Sequence, residues 1–363
     1  MNIAILSTAH IHTRSFLSGL AGHPDGRRAC ALWDDNTGRA QGYAREFGVA
    51  FEPDLERLLA DSRVDGFIIC AENTRHLSLL EKVIPLGKPV MCEKPLTTSL
   101  SDLGRVRLLL EEFRTPLVCG YFHFFLGRYQ SARALVDEGS LGKVTRAGFR
   151  NAHHAAYGRW FEGAELDWFT RPELSGGGAL MDMGTHALHL LISLFGEVDS
   201  VWATVGNHSG IYPEVEDYGI AHLRFKSGIL GEIEAAWTQT GGRTGLEIVG
   251  SRATLNVDAQ TLRMTMPDKE PSFIAPLDAL PDRVDRLVAV WRGEVSLEAQ
   301  ADDLNACLHA VEVMAAAYAS AASGSWAEVA GATVSRSPRG VARFDHPGGV
   351  AGEVRPSIGG EDR

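Results

Sequence analysis

The chain has 363 residues, 45% of them apolar and 22% charged, the proportions of an ordinary globular protein long enough for two domains. Its formal charge of −11, from 35 Lys and Arg against 46 Asp and Glu, is spread along the sequence without basic runs, which argues against nucleic acid or an anionic membrane as partner. No apolar run spans a bilayer, the first seven residues do not read as a signal peptide, and the five cysteines show no paired spacing, so a reduced, cytoplasmic setting is expected.

Short apolar runs alternate with helical patterns through the first third. Residues 2–7 read as a buried strand, 13–22 as a helix, 29–33 as a strand, 37–47 as a helix and 66–71 as a strand. A helical stretch follows from His76 to Pro85, with Gly87 as its stop; then come a strand at 89–92, a helix at 99–113 and a strand at 116–120. This alternation predicts an α/β fold that opens with a doubly wound parallel sheet, a Rossmann domain over residues 1–121, with ligands at the carboxyl ends of the strands.

Beyond about residue 130 the rhythm changes. A helix at 129–138 is followed by strand-like runs at 144–150, 199–206, 217–225, 229–237, 244–250 and 253–257, two pairs of them separated by hairpin signals at 226–228 and 250–251. Few helices intervene, so a C-terminal α/β domain over 122–336 is expected to hold a large, mostly antiparallel open sheet. One helix is expected near 179–195 and a last amphipathic helix, about 298–322, docks on the core; residues 337–363 read as an irregular tail.

A dinucleotide fold places a glycine-rich turn after its first strand. Here the turn reads Ser7-Thr8-Ala9-His10-Ile11-His12, without glycine. Ala9 adds one methyl where the backbone approaches a diphosphate, and His12 is bulky where a small residue packs; His10 and His12 read as packing or diphosphate contacts. Asp34 follows the second strand, where a carboxylate accepts from the adenosine ribose and repels a 2′-phosphate, favouring NAD over NADP; a surface turn Asp34-Asp35-Asn36 is the alternative.

The strand Val90-Met91-Cys92 runs into Glu93-Lys94-Pro95. A lysine at the carboxyl end of a buried strand faces the ligand crevice and, partly buried, can serve as proton donor or acceptor; Pro95 fixes where it points. Further on stand Asp167-Trp168 and the run Gly176-Gly177-Gly178-Ala179-Leu180-Met181-Asp182-Met183-Gly184-Thr185-His186. With Cys92-Glu93-Lys94-Pro95-Leu96, the Asn73/His76 segment and the final helix, the chain resembles the Gfo/Idh/MocA oxidoreductases over roughly residues 1–325.

The resemblance implies a Rossmann domain carrying NAD(P), a C-terminal domain whose open sheet forms oligomer contacts, Lys94 as the catalytic lysine, and Asp182 and His186 facing substrate and nicotinamide. The chain departs from the family at Ser7, Ala9 and His12. It departs again at Tyr121-Phe122-His123-Phe124-Phe125, where relatives carry an arginine, and at His189, where they often carry an aspartate.

Asp182, His186 and His189, spaced i, i+4 and i+7, are expected to share one helical face. They could serve a dehydrogenase, in which a base near neutral pH takes the hydroxyl proton as hydride leaves, or ligate a metal with His123, His153 or His154, or simply belong to the core. The first reading is adopted and no metal is assigned. Most aromatics read as core, but Trp168, in a polar loop, is expected to be exposed and to stack on a sugar.

The expectation is therefore an NAD-dependent oxidoreductase oxidising a secondary alcohol of a sugar, sugar derivative or cyclitol, as a dimer or tetramer. Lys94, His186 and Asp182 are the catalytic set. Thr8, Ala9, His10, Ile11, His12, Asp34, Asn73, His76, Glu93 and Lys94 hold the cofactor, with backbone N–H groups of the loop at 8–12 binding its diphosphate. Lys94, His123, Trp168, Asp182 and His186 meet the substrate. The alternatives are a glycoside-cleaving enzyme that retains NAD and a non-catalytic sugar or nucleotide sensor.

Overall fold

The computed structural model describes residues 1–329 apart from Ala164 and Arg243. The tail expected from 337 onward lies outside the described residues. Six parallel strands form the first sheet: β1 (Asn2–Leu6), β2 (Arg28–Trp33), β3 (Ala50–Phe51), β4 (Gly66–Ile69), β5 (Val90–Cys92) and β6 (Leu117–Cys119). Their order, β3-β2-β1-β4-β5-β6, is that of a doubly wound dinucleotide fold, with the switch point between β1 and β4. The strands are buried on both faces because helices cover both, which is why they read as unbroken Val/Ile/Leu runs.

Local signals set the helix ends. Asn36 and Ser99 each accept a backbone N–H of the first turn, from Arg39 and Asp102, and Gly87 ends its helical segment at φ 68°. The two-residue strand β3 and the helix Leu55–Leu59 are too short to leave a periodic pattern.

The second sheet has nine strands. These are β7 (Val144–Ala152), β8 (Val198–Gly206), β9 (Tyr218–Phe225), β10 (Leu230–Ala236), β11 (Gly245–Gly250), β12 (Thr254–Val257), β13 (Leu262–Thr265), β14 (Ser272–Phe273) and β15 (Ala327–Glu328). The order is β14-β13-β12-β11-β7-β10-β9-β8-β15, with β10 on β7 the one parallel pairing among the described residues of this second sheet. The inner face packs Phe149, Ala221, Leu223 and Ile233 against Leu188, Leu190 and Leu191 of the helix Thr185–Phe195. Each such fully buried leucine contributes roughly 1.5–3 kcal/mol.

The expected helix at 179–195 is in fact two segments, a π-helical turn over Leu180–Gly184 and an α-helix over Thr185–Phe195. Two later helices reach the first sheet. In the helix Arg283–Trp291, Leu287 and Val288 join the core under β1 and β5, and in the helix Leu297–Ser323, Cys307, Leu308 and Val311 join the core under β4 and β6.

Candidate active site

Strand β5 delivers Glu93 and Lys94 to the carboxyl edge of the first sheet, and the peptide between Lys94 and Pro95 is cis. The His76 imidazole, fully buried, has Nδ1 2.9 Å from the Pro95 carbonyl and Nε2 3.2 Å from that of Ala71. The neutral ring has one N–H, so one of these carbonyls accepts from it and the other lies beside the second nitrogen, and the side chain braces the segment behind Lys94. Asn73 likewise donates to the Ser175 carbonyl at 2.8 Å, while its Oδ1 is buried without a partner.

The Lys94 ammonium donates to Asp182 Oδ1 at 2.7 Å and to the Asp182 carbonyl at 3.2 Å. The other carboxylate oxygen accepts from the indole N–H of Trp237, at the end of β10, at 3.0 Å. Burial pushes the Asp182 carboxyl up, but the Lys94 charge beside it and the Lys94 and Trp237 hydrogen bonds hold it below its ordinary value. The aspartate is an oriented anion with both oxygens placed. Trp237 gave no signal in the sequence, because only the packing of β10 brings it here.

The π turn breaks the shared face expected of Asp182, His186 and His189. A π turn widens the helix and changes the angular spacing of the residues it spans. Asp182 consequently turns to Lys94, while His189 stacks on Tyr121 at 4.2 Å and His186 packs against Phe122 and His123 at 5.1 and 5.3 Å. No hydrogen bond joins His186 to Lys94 among the described residues, so the geometry lacks a direct proton relay between them. Burial, with the Lys94 charge next in effect, pushes the His186 imidazole well below its ordinary value; burial likewise takes His123 and His189 to about 3. These rings are neutral near pH 7.

The start of this segment is held by a residue that no local pattern announces. Glu216 Oε1 accepts from the backbone N–H of Gly178 and Leu180 at 2.8 and 3.1 Å and from the Tyr318 hydroxyl at 2.6 Å. Gly178 has to be glycine, since a Cβ there would lie 2.0 Å from the Glu216 carbonyl oxygen.

Three expectations at the nucleotide edge are corrected. Asp34 does not face a ribose: its carboxylate accepts from Thr8 N and Oγ1, from Asn36 N and from both Nε and Nη2 of Arg39, which fills its lone pairs. The loop does not present a free row of N–H groups. Thr8 N goes to Asp34, His10 N to the Cys70 carbonyl at 2.9 Å and Thr13 N to the His10 carbonyl at 3.0 Å. Ala9 and Thr8 are buried, and Ile11 is 43% exposed. Trp168 is not an exposed platform. It is 1% exposed, stacks on Phe169 at 3.9 Å and donates its indole N–H to the Ala9 carbonyl, because the apolar faces of Ala9, Phe161 and Phe169 meet there.

A cavity of about 330 Å³ opens beyond β2 and β4, lined by Asp35, Asn36, Arg39, Glu72, Arg75, Asp167, Trp168, Arg171 and Leu174. Its size and its place at the switch point suit the adenosine half of a dinucleotide. The residues thus fit that half, whereas the loop at 7–12 does not offer the glycine-loop cradle for the diphosphate. His123, expected to meet substrate, lies among Tyr129, Phe149 and His186 with Nδ1 unpartnered. His153 stacks on Trp160 at 4.8 Å and His154 packs edge-on to the same ring, so neither joins Asp182 as a ligand set.

A doubly wound nucleotide domain joined to an open mixed sheet, with a lysine–aspartate pair between them, defines an oxidoreductase of the two-domain type. Residues 1–121 match the oxidoreductase family with an NAD-binding Rossmann fold, and residues 129–256 match the Gfo/Idh/MocA C-terminal domain. The chain belongs to the Gfo/Idh/MocA oxidoreductase family.

It is 26% identical over 233 residues to a 1,5-anhydro-D-fructose reductase of Ensifer adhaerens, a match covering 63% of this chain and 68% of that protein. It is 32% identical over 136 residues to inositol 2-dehydrogenase 1 of Saccharopolyspora erythraea, covering 36% of this chain and 39% of that one. A levoglucosan dehydrogenase, solved in complex with NADH and levoglucosan, shares the fold at a TM-score of 0.75 and 18% identity, over 91% of this chain and 100% of that chain.

Proposed function

We propose that the chain is an NAD-dependent oxidoreductase that interconverts a secondary alcohol and a ketone on a sugar, sugar derivative or cyclitol. The observation that carries this reading is the buried pair of Lys94 Nζ and Asp182 Oδ1, 2.7 Å apart, at the carboxyl edge of β5. The dinucleotide, when bound, supplies the hydride acceptor or donor. Lys94 holds or moves the hydroxyl proton, and Asp182 fixes the direction of its ammonium while Trp237 fixes Asp182. His186 contributes a neutral imidazole to the wall of the site.

The choice of NAD over NADP has a different support from the one the sequence suggested. In the 330 Å³ cavity each guanidinium already has a carboxylate: Arg39 with Asp34 at 2.9 Å, Arg75 with Asp35 at 2.5 Å and Arg171 with Asp167 at 3.5 Å. Among the described residues that line it, no guanidinium is left without a carboxylate for a 2′-phosphate. The substrate class follows the relatives, one described as acting on an anhydro sugar and one on inositol. The half-exposed outer face of β9, with Tyr218, Ile220 and His222, is the surface for self-association as a dimer or tetramer.

The test is a panel of sugars, anhydro sugars and cyclitols with NAD, read at the NADH absorbance, and the reverse reaction with the matching ketones. Activity with at least one member is expected, and Lys94→Ala should lower kcat/KM by about 100-fold or more. Full activity in that variant would remove Lys94 from the reaction.

A further inference from the structure

The loop after β1 carries His10-Ile11-His12, and both imidazoles turn to the same buried carboxylate. His12 Nδ1 lies 3.0 Å from Glu93 Oε1 and His10 Nδ1 lies 3.9 Å from the same oxygen. Among the described residues these three are the one group of His, Cys, Asp or Glu close enough to share an ion, with one ligand atom each within 4.8 Å of the others. Imidazole and carboxylate ligands sit about 2.0–2.2 Å from zinc, so two ligand atoms of one ion can stand up to roughly 4.2 Å apart. Both separations from Glu93 fall inside that limit.

The surroundings are those of a built site. Glu93 and His10 are 0% and 1% exposed, and His12 is the partly open member. His10 Nδ1, the nitrogen nearest Glu93, accepts the His12 backbone N–H at a long 3.3 Å, and its Nε2 is buried with no partner. Glu93 has no ammonium or guanidinium within salt-bridge distance: its oxygens accept from His12 and from the Lys94 backbone N–H, while the Lys94 ammonium belongs to Asp182. A carboxylate out of water without a cation is costly. Gly120 leaves room for it, since a Cβ there would stand 2.6 Å from Glu93 Oε2. The rings are also braced, His10 by Trp168 and Phe169 and His12 by Phe16.

We propose that His10, His12 and Glu93 form a site for one divalent transition-metal ion of the zinc class. Two imidazoles and a carboxylate leave at least one coordination position for water or another oxygen donor, as in metal sites that do chemistry rather than hold a fold together. The site is distinct from the Asp182, His186 and His189 set that the helical spacing had suggested. Its residues are among those expected from the sequence to meet the dinucleotide, so binding is read on the nucleotide-free chain without substrate.

The test uses the full chain, stripped with a chelator, dialysed, and titrated with Zn2+ by calorimetry and with Co2+ by visible absorption. One ion per chain is expected, with the absorption of a low-symmetry cobalt centre. His12→Ala and His10→Ala should each weaken binding by about 100-fold or more, since even supporting residues around a metal cost 10–100-fold when removed. His154→Ala, an exposed histidine outside the cluster, should bind as the unaltered chain does.

Should His10→Ala fail to fold, metal-edge X-ray absorption on the unaltered zinc-loaded protein decides alone. Two imidazoles among nitrogen and oxygen ligands at about 2.0–2.1 Å are expected. No stoichiometric ion, a spectrum without imidazole, or unchanged binding in His12→Ala would each overturn the proposal.

Discussion

Lys94 and Asp182 are 3% and 9% exposed, so each is the main means of keeping the other charged away from water. Removing one leaves the other buried and uncompensated. Lys94→Ala is therefore expected to lose about 3 kcal/mol of stability beside its loss of activity, measured by urea unfolding. A loss under about 1 kcal/mol would mean that water reaches the pair. Trp237→Phe deletes the N–H that binds Asp182 Oδ2 and also shrinks a fully buried ring, and should lose about 1.5–3 kcal/mol or more. An unchanged urea midpoint would show that the carboxylate finds another donor.

At the scale of elements, the strands of the first domain were legible as short apolar runs alternating with helical patterns, and β1 to β6 fall within two residues of their expected bounds, the short β3 excepted. The Lys94 position was legible too, since a strand leading into Glu-Lys-Pro fixes its edge of the sheet. What local pattern could not show is anything that depends on a distant partner. The π turn at Leu180–Gly184 follows a sequence that reads as ordinary helix, and its effect is visible only when Asp182 meets Lys94 and Trp237. Glu216 looks like a strand-end charge until Gly178 and Leu180 donate to it. Trp168 sits among polar neighbours in sequence yet is covered by groups from the first loop and its own aromatic partner.

The loop after β1 also records its ancestry in its backbone. Ser7 holds φ 64°, the left-handed conformation that a glycine adopts there without strain. A non-glycine residue in that region costs of order 1–3 kcal/mol, offset partly by the smaller entropy of the unfolded serine. Ser7→Gly should thus leave stability unchanged or raise it by up to about 1 kcal/mol, whereas Ser7→Val should lower it clearly. A destabilised glycine variant in thermal unfolding would show that the Ser7 hydroxyl, 3.3 Å from Ala9 N, matters more than the backbone.

Over the whole molecule the two sheets are tied by the chain's later helices, whose residues sit in the cores under both. Between the sheets lies a set of buried neutral imidazoles. His123 and His189 are held at about 3, and His186 well below its ordinary value, by burial, with Lys94, Arg128 and Arg283 adding repulsion at His123. A histidine whose value is lowered on folding contributes stability that is full above its unfolded value, about 6.5, and is lost as pH falls below it, because the unfolded chain then binds the proton. Each such group steepens the loss toward about 1.4 kcal/mol per pH unit. Urea midpoints should fall steadily from pH 7 to pH 5; a flat profile would mean that these rings are hydrated or charged.

The most direct measurement is calorimetric titration of the nucleotide-free protein with NAD and, separately, NADP. One NAD per chain is expected, with NADP at least about tenfold weaker because, among the described residues, no guanidinium without a carboxylate lines the adenosine cavity. Binding of neither dinucleotide would contradict the oxidoreductase reading, and tighter binding of NADP would contradict the assignment of the cavity's arginines to their carboxylates.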